Sequence, residues 1–174
     1  MDNNPLVTLR PMNSADIPAG MRLKDIAGWN QTECDWEMIL NTSLGGCYVA
    51  VLDDTVVGTM TTLTYGNRFS WLGMLLVAPE HRRQGIATTL LKTAIDFAKE
   101  YGPICLDATP AGAPLYRSLG FEDASTLIRM ERPCNPHHAV TASAHAILNI
   151  DALKAVCAYD EPLFGADRSS ILSS

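Results

Sequence analysis

The chain reads as an α/β protein built on a mixed, mostly antiparallel sheet with helices on both faces. Three observations predict this. Beta-rich runs at Cys47 to Leu52, Thr55 to Thr64 and Phe69 to Val77 follow one another with only tight turns between them, the pattern of hairpin-connected strands. Within the third, Trp71-Leu72-Gly73-Met74-Leu75-Leu76-Val77 is continuously apolar, as a strand covered on both faces requires. Beyond it, Ile86, Leu90, Leu91, Ala94, Ile95 and Ala98 recur at helical spacing, with Lys92, Asp96, Lys99 and Glu100 on the other side, until Gly102-Pro103 stops the helix.

Taken in order, Val7 to Arg10 is a first strand. A helical stretch follows from Ser14-Ala15-Asp16 to about Ile26, with Ser14 as its cap. Thr32-x-x-Asp35 forms a capping box, with Asp replacing the usual Glu, before Trp36, Ile39 and Leu40. Asp53-Asp54 joins the next two strands as a tight hairpin, and Gly66-Asn67 turns the chain into the long apolar strand. After the crossover helix come a fifth strand at Ile104 to Leu106, a short helix around Tyr116, and a last strand at about Ser125 to Glu131. Gly120 is expected in the left-handed conformation that ends the short helix before Phe121.

The stretch that carries chemistry is Val77-Ala78-Pro79-Glu80-His81-Arg82-Arg83-Gln84-Gly85-Ile86-Ala87. Here a strand passes through a proline turn into a helix start. The first amides of a helix lack intrahelical partners and sit at the positive end of its dipole, which suits them to a pyrophosphate. Neither the three-glycine dinucleotide fingerprint nor a Gly-Lys-Ser/Thr phosphate loop is present.

Arg82-x-x-Gly85-x-Ala87 instead resembles the Arg/Gln-x-x-Gly-x-Gly/Ala loop of the GNAT superfamily of N-acetyltransferases. A second block, Ala113-Pro114-Leu115-Tyr116-Arg117-Ser118-Leu119-Gly120-Phe121, looks like the segment following the fifth strand in those enzymes. The likeness covers about residues 5 to 132. Gly28-Trp29-Asn30-Gln31-Thr32 with Asp35-Trp36, Gly73-Met74, and Leu106-Asp107-Ala108-Thr109-Pro110-Ala111-Gly112 further resemble a branch whose GNAT domain precedes a second, related domain. Two positions depart from the pattern. Thr109 stands where an Asn is common, and no carboxylate lies between Ser70 and Val77, where many relatives keep a general base.

The resemblance implies acetyl-CoA as co-substrate and a fourth and fifth strand that splay apart. Leu75, Leu76 and Val77 would pair with pantetheine. The loop Arg82, Arg83, Gln84 and Gly85, with Ile86, Ala87 and Thr88 of the following helix, would hold the pyrophosphate; a solvated turn is the plain alternative for Arg82-Arg83. Tyr116 would be the general acid, against the plain reading of a packed aromatic ring. Asp107 is the candidate base, with a turn cap onto Thr109 or Ala111 as its alternative. Trp29, Asn30 and Gln31 between the first two helices, together with Trp71, are candidate acceptor contacts, the first three against an ordinary interhelical turn. A primary amine of a small molecule is the expected acceptor. A non-catalytic acyl-CoA-binding module and a partner-docking protein are the other classes open.

Length and composition agree with one enzyme domain: 174 residues suffice to bury about 70% of the unfolded surface. A formal charge of −6 argues against nonspecific nucleic-acid binding, which needs basic patches. The five cysteines, 34, 47, 105, 134 and 157, form no C-x-x-C pair and read as reduced thiols in a cytoplasmic protein, Cys105 in the core. No apolar run is long enough to span a bilayer, and no N-terminal secretory h-region is visible. His137, His138 and His145 lack the spacing of a helical zinc pair, so no metal is expected. His81 is a possible phosphate contact.

After Glu131 the composition shifts. Pro133 and Pro136 mark a linker, and Ala139 to Tyr159 has helical potential with Pro162 as its stop. Residues 133–174 are therefore expected to be a linker and arm, a remnant of a second domain or a docking element, with a homodimer through the arm as one outcome.

Overall fold

The computed structural model describes residues 7–128, 130 and 150–173. One five-stranded sheet in the order β1-β2-β3-β4-β5 organises it. The strands are β1 (Thr8–Pro11), β2 (Tyr48–Leu52), β3 (Thr55–Tyr65), β4 (Phe69–Val77) and β5 (Ile104–Leu106). The first four run antiparallel in sequence order, and β5 returns parallel to β4 after a crossover helix. The helices are α1 (Ile17–Ile26), α2 (Glu33–Thr42), α3 (Ile86–Ala98), α4 (Ala113–Ser118), α5 (Ile150–Phe164) and α6 (Ser169–Leu172).

The local chemistry is visible at the joints. Asp53 and Asp54 take φ of 46° and 61°, which lets a two-residue turn match the strand twist. Thr32 and Asp35 cap α2 reciprocally, as their spacing predicts. At the first helical stretch the cap is Asn13 rather than Ser14. The Asn13 carboxamide oxygen accepts from the Ala15 amide, and Asp16 reaches back to the Asn13 amide at 2.9 Å. Asp16 also receives two guanidinium N–H groups of Arg10 at 2.7 Å, tying β1 to the start of α1.

Helices cover both sides of the sheet. An added Cβ at Gly58 would meet Leu90 and Ile86 of α3, and Thr62 borders Phe97 of the same helix, so the even positions of β3 from 58 onward face α3. The opposite layer holds α1 and α2, where Trp36 is fully buried and its ring fits against Gly20. Leu90, Leu91, Ala94 and Ala98 of α3 and Val49, Ala50 and Met60 of the sheet form the centre of the core.

Three expectations need correction. Residues 125–128 form no strand, and most of the remaining stretch to Glu131 lies outside the described residues. Pro162 sits inside α5, which continues to Phe164; it forfeits one late hydrogen bond without ending the helix. Cys105 is partly exposed on the short edge strand rather than in the core. His137, His138, His145 and Cys134 lie outside the described residues.

Candidate functional site

Pairing between β4 and β5 is brief: Ser70 with Ile104, Trp71 with Cys105, Leu72 with Leu106, and then nothing. Among the described residues no strand lies beside the outer edge of β4 from Gly73 to Val77, so apart from the Val77 carbonyl, which accepts from Arg82, that edge is open to another extended chain.

The same half of β4 carries a bulge. Thr59 pairs with Leu76 but Thr61 with Gly73, so one residue of β4 is extra, and Met74 takes a left-handed φ of 49°. The Thr59 hydroxyl donates to the Met74 carbonyl at 2.8 Å in a buried position, holding the bulge in place. Side chains do not reveal such a device to a sequence reading; a small Gly73 before it is the only trace.

At the end of β4 the chain enters the loop toward α3. Arg83 (φ 63°) and Gly85 (φ 82°) are both left-handed, with Gln84 between them, and Gly85 opens α3 without a side-chain cap. Successive amides bent in this way converge into an anion-binding concavity in front of the helix dipole. No atom lies within 4 Å of an added Cβ at Gly85, so the space above the loop is open.

Two of the loop's three polar side chains have already found backbone partners. Arg82 Nε donates to the Val77 carbonyl at 3.0 Å, and Gln84 Nε2 to the Glu80 carbonyl at 3.3 Å. The Arg83 side chain is exposed. Ala87 and Thr88 occupy the first turn of α3, where Ile86 is buried beneath them.

Tyr116 lies on α4, half-buried, with its ring edge-on to Phe121 at 6.1 Å and close over Gly112. Burial pushes its phenol pKa up, which keeps it protonated at neutral pH. Gly120 has the expected left-handed φ, 89°. Asp107 follows the last paired residue of β5 and is exposed. It caps neither Thr109 nor Ala111; the Thr109 hydroxyl itself accepts from the Gly112 amide at 3.1 Å.

On the layer of α1 and α2, β4 presents Trp71 and Phe69, with Cys105 on the same side because paired residues share a face. Trp29 follows α1, half-buried against the core, and its amide bonds the Lys24 carbonyl. Asn30 is exposed, whereas Gln31 turns Oε1 into a buried position with no hydrogen-bond donor. A buried acceptor without a partner is costly, about 1–3 kcal/mol.

A separate cleft lies elsewhere. A volume of about 660 Å³ opens between the β3–β4 turn and the C-terminal segment, lined by Tyr65, Gly66, Arg68, Glu161, Pro162, Gly165, Ala166 and Asp167. None of these residues belongs to the β4–β5 opening or the anion loop. The segment is docked there by Phe164, whose ring meets Tyr65 at 5.0 Å and Phe69 at 5.4 Å, and by Arg68 Nε donating to the Gly165 carbonyl at 3.1 Å.

Comparison with known proteins matches this geometry. The Acetyltransferase (GNAT) family model matches residues 18–121, well over half of the chain. Human N-acetyltransferase 8B is 37% identical over 118 residues, covering 62% of this chain and 48% of its own length. The uncharacterized N-acetyltransferase YitH of Bacillus subtilis is 26% identical over 156 residues, 87% of this chain and 54% of that protein. The chain thus spans about half the length of these curated relatives. The crystal structure of a candidate acetyltransferase from Pyrococcus horikoshii superimposes with a TM-score of 0.75 at 22% identity, over 99% of this chain and 63% of that one. An aminoglycoside N-acetyltransferase, AAC(6')-Iy, in complex with CoA, shares the fold with a TM-score of 0.57 at 19% identity, over 73% of this chain and all of that one. With one family model running through the bulged strand, the anion loop and the helix of Tyr116, the chain belongs to the GNAT acetyltransferase family.

Proposed function

We propose that the protein transfers an acetyl group from acetyl-CoA directly to a primary amine of a small molecule, in the cytoplasm. The observation that carries this is the continuity of two features on one strand. The free edge of β4 at Gly73–Val77 leads straight into the left-handed loop Arg83–Gly85 and the bare start of α3. An extended pantetheine arm ending in a pyrophosphate fits that succession. Leu75, Leu76 and Val77 pair with the arm through their backbone, and the amides from Arg83 to Ala87 hold the phosphates, with Arg83 and Thr88 at hand.

In this reading the neutral amine attacks the thioester carbonyl carbon. A backbone N–H near Leu75 or Leu76, aimed at the free edge, stabilises the oxyanion. As the carbon–sulfur bond breaks, the sulfur takes the Tyr116 proton, and the proton lost by the amine nitrogen passes to Asp107 or to water. Burial raises the phenol pKa, so Tyr116 carries its proton at neutral pH, as a donor must. Asp107 is exposed, so bulk water reaches it and can carry the proton away. Trp29, Asn30, Gln31 and Trp71 line the acceptor side, and the unpaired Gln31 oxygen suits an ammonium or amide donor.

We also read residues 1–132 as the catalytic domain and 133–174 as a linker and arm, related to the first half of a two-domain branch. Support comes from the greater length of the matched relatives. The four described cysteines are free thiols. No helix among the described residues is long and apolar enough to cross a membrane.

Calorimetry with acetyl-CoA on the intact chain and on Gly85→Glu tests the reading. Binding by the intact chain that the variant loses, with its circular dichroism unchanged, supports the loop as the seat; equal binding by both rejects it. Turnover across an amine panel, with Tyr116→Phe as control, tests the chemistry.

A further inference from the structure

Helix α5 carries an apolar face that the described residues do not bury. Most of its fifteen residues are apolar, yet none is buried. Phe164 is anchored on Tyr65 and Phe69, and Leu153 and Cys157 turn toward α6, but a second apolar stripe faces away. There Val156, Tyr159 and Leu163 are 39%, 73% and 70% exposed. An isolated helix of this length is marginal in water, so a bare apolar stripe of this kind marks a contact surface.

We propose that this stripe is the seam of a two-fold dimer, in which α5 lies antiparallel to α5 of a second copy of the chain. Its spacing gives the reason. Ala152, Val156, Tyr159 and Leu163 are four, three and four residues apart, the alternation of a coiled-coil seam. That spacing is the same read from either end. A two-fold axis between Cys157 and Ala158 therefore sets Ala152 opposite Leu163 and Val156 opposite Tyr159, small against large in each case, as an isologous contact needs.

Charge does not oppose the pairing. Of the residues flanking the seam, Asp160 is already neutralised by two bonds from Arg168, at 2.7 and 2.6 Å. Area agrees as well. Val156, Tyr159 and Leu163 offer roughly 340 Å², and the exposed Ala155 and Pro162 beside them bring each copy toward the ~500 Å² of the smallest specific interfaces. A weak dimer, with Kd on the order of 10 μM, is the expectation. This inference is independent of the acetyl-CoA reading.

Sedimentation velocity of the intact chain from about 1 μM to about 500 μM is the test. The expected result is a monomer–dimer equilibrium that Tyr159→Glu and Leu163→Glu each abolish, while Leu44→Glu, at an exposed leucine outside α5, leaves it unchanged. Register is tested separately. Ala152→Glu and Leu163→Lys should each weaken the dimer, and the double variant should restore it, because positions 152 and 163 meet only between copies. A chain that stays monomeric throughout, charge variants that dimerise as the wild type does, or a double variant with no recovery overturns the proposal. Circular dichroism of every variant separates loss of association from loss of the helix.

Discussion

Arg82 and Val77 are joined by a hydrogen bond of 3.0 Å from the guanidinium Nε to the last carbonyl of β4. The bond closes the strand end and the anion loop into one ring, so the loop's left-handed turns at Arg83 and Gly85 are held before any ligand arrives. Arg82 therefore acts as a positioning residue, and Arg82→Ala should raise the KM for acetyl-CoA about 5- to 10-fold, the worth of roughly 1 kcal/mol. The kcat at saturating donor should change little. Steady-state kinetics with the two substrates varied separately checks this; a fall in kcat at constant KM contradicts it.

At Arg83 the left-handed backbone costs a non-glycine residue about 1 kcal/mol. Arg83→Gly should relieve that strain, offset in part by the greater freedom of glycine when unfolded, for a net gain below ~1 kcal/mol. Urea denaturation should show a small upward shift of the midpoint, together with weaker acetyl-CoA binding from loss of the exposed cation.

Tyr116→Phe should lower kcat about 10²- to 10⁴-fold while leaving the affinity for acetyl-CoA nearly intact. Since burial raises the phenol pKa, the wild-type rate should rise with amine deprotonation and show no phenol-dependent decline below pH ~10. A pH–rate profile with a descending limb near neutrality counts against Tyr116 as the proton donor.

Asp16 is nearly buried, and its paired guanidinium from Arg10 holds the carboxyl pKa below the usual value. A depressed folded-state pKa means the stabilisation is fully present above pH ~4, the unfolded value, and is lost as pH falls through the lower folded value. Asp16→Asn should destabilise the fold by about 1–3 kcal/mol at pH 7 and flatten the acid side of the stability curve. Chemical denaturation at a series of pH values measures both.

Phe164→Ala removes the ring that meets Tyr65 and Phe69 and over which Arg168 lies at 4.1 Å. The variant should release the C-terminal segment to limited proteolysis while residues 7–128 stay protected. Protection equal to the wild type shows that the Arg68 contact to Gly165 suffices.

Sequence made some of this plain because the signals were local. The extent of β4, Phe69–Val77, follows from an apolar run between a turn and a proline. The capping box at Thr32 and Asp35 and the left-handed Gly120 depend only on neighbours within a turn. Features that depend on distant partners were not legible. Asn13 and Ser14 are both good caps, and Arg10 acting through Asp16 favours the former. Pro162 ends most helices, but here Phe164 is fastened to the sheet and the last turn is kept. Arg82 read as a ligand contact, and the bond of its Nε to the Val77 carbonyl, a second task for the side chain, left no mark in the sequence. The bulge at Met74 has no residue signature, because its determinant is the Thr59 hydroxyl on another strand.

That bulge makes β4 a phase converter. Upstream, Leu72 sits opposite Thr62 and looks toward α3; downstream, Leu76 sits opposite Thr59 and looks the other way, although both are even-numbered. Alternating burial thus runs unbroken along the strand, from Ser70 to Leu76, while the layer receiving the buried side chains changes midway. Shortening the strand by one residue at this point would do more than tighten it. It would leave Leu76 opposite Thr59 and Val77 opposite Gly58, on the layers they already face, but it would erase the bend and extra twist that the bulge gives the strand beside the β5 opening, so strand length at Met74 is a condition of the site and not only of the sheet.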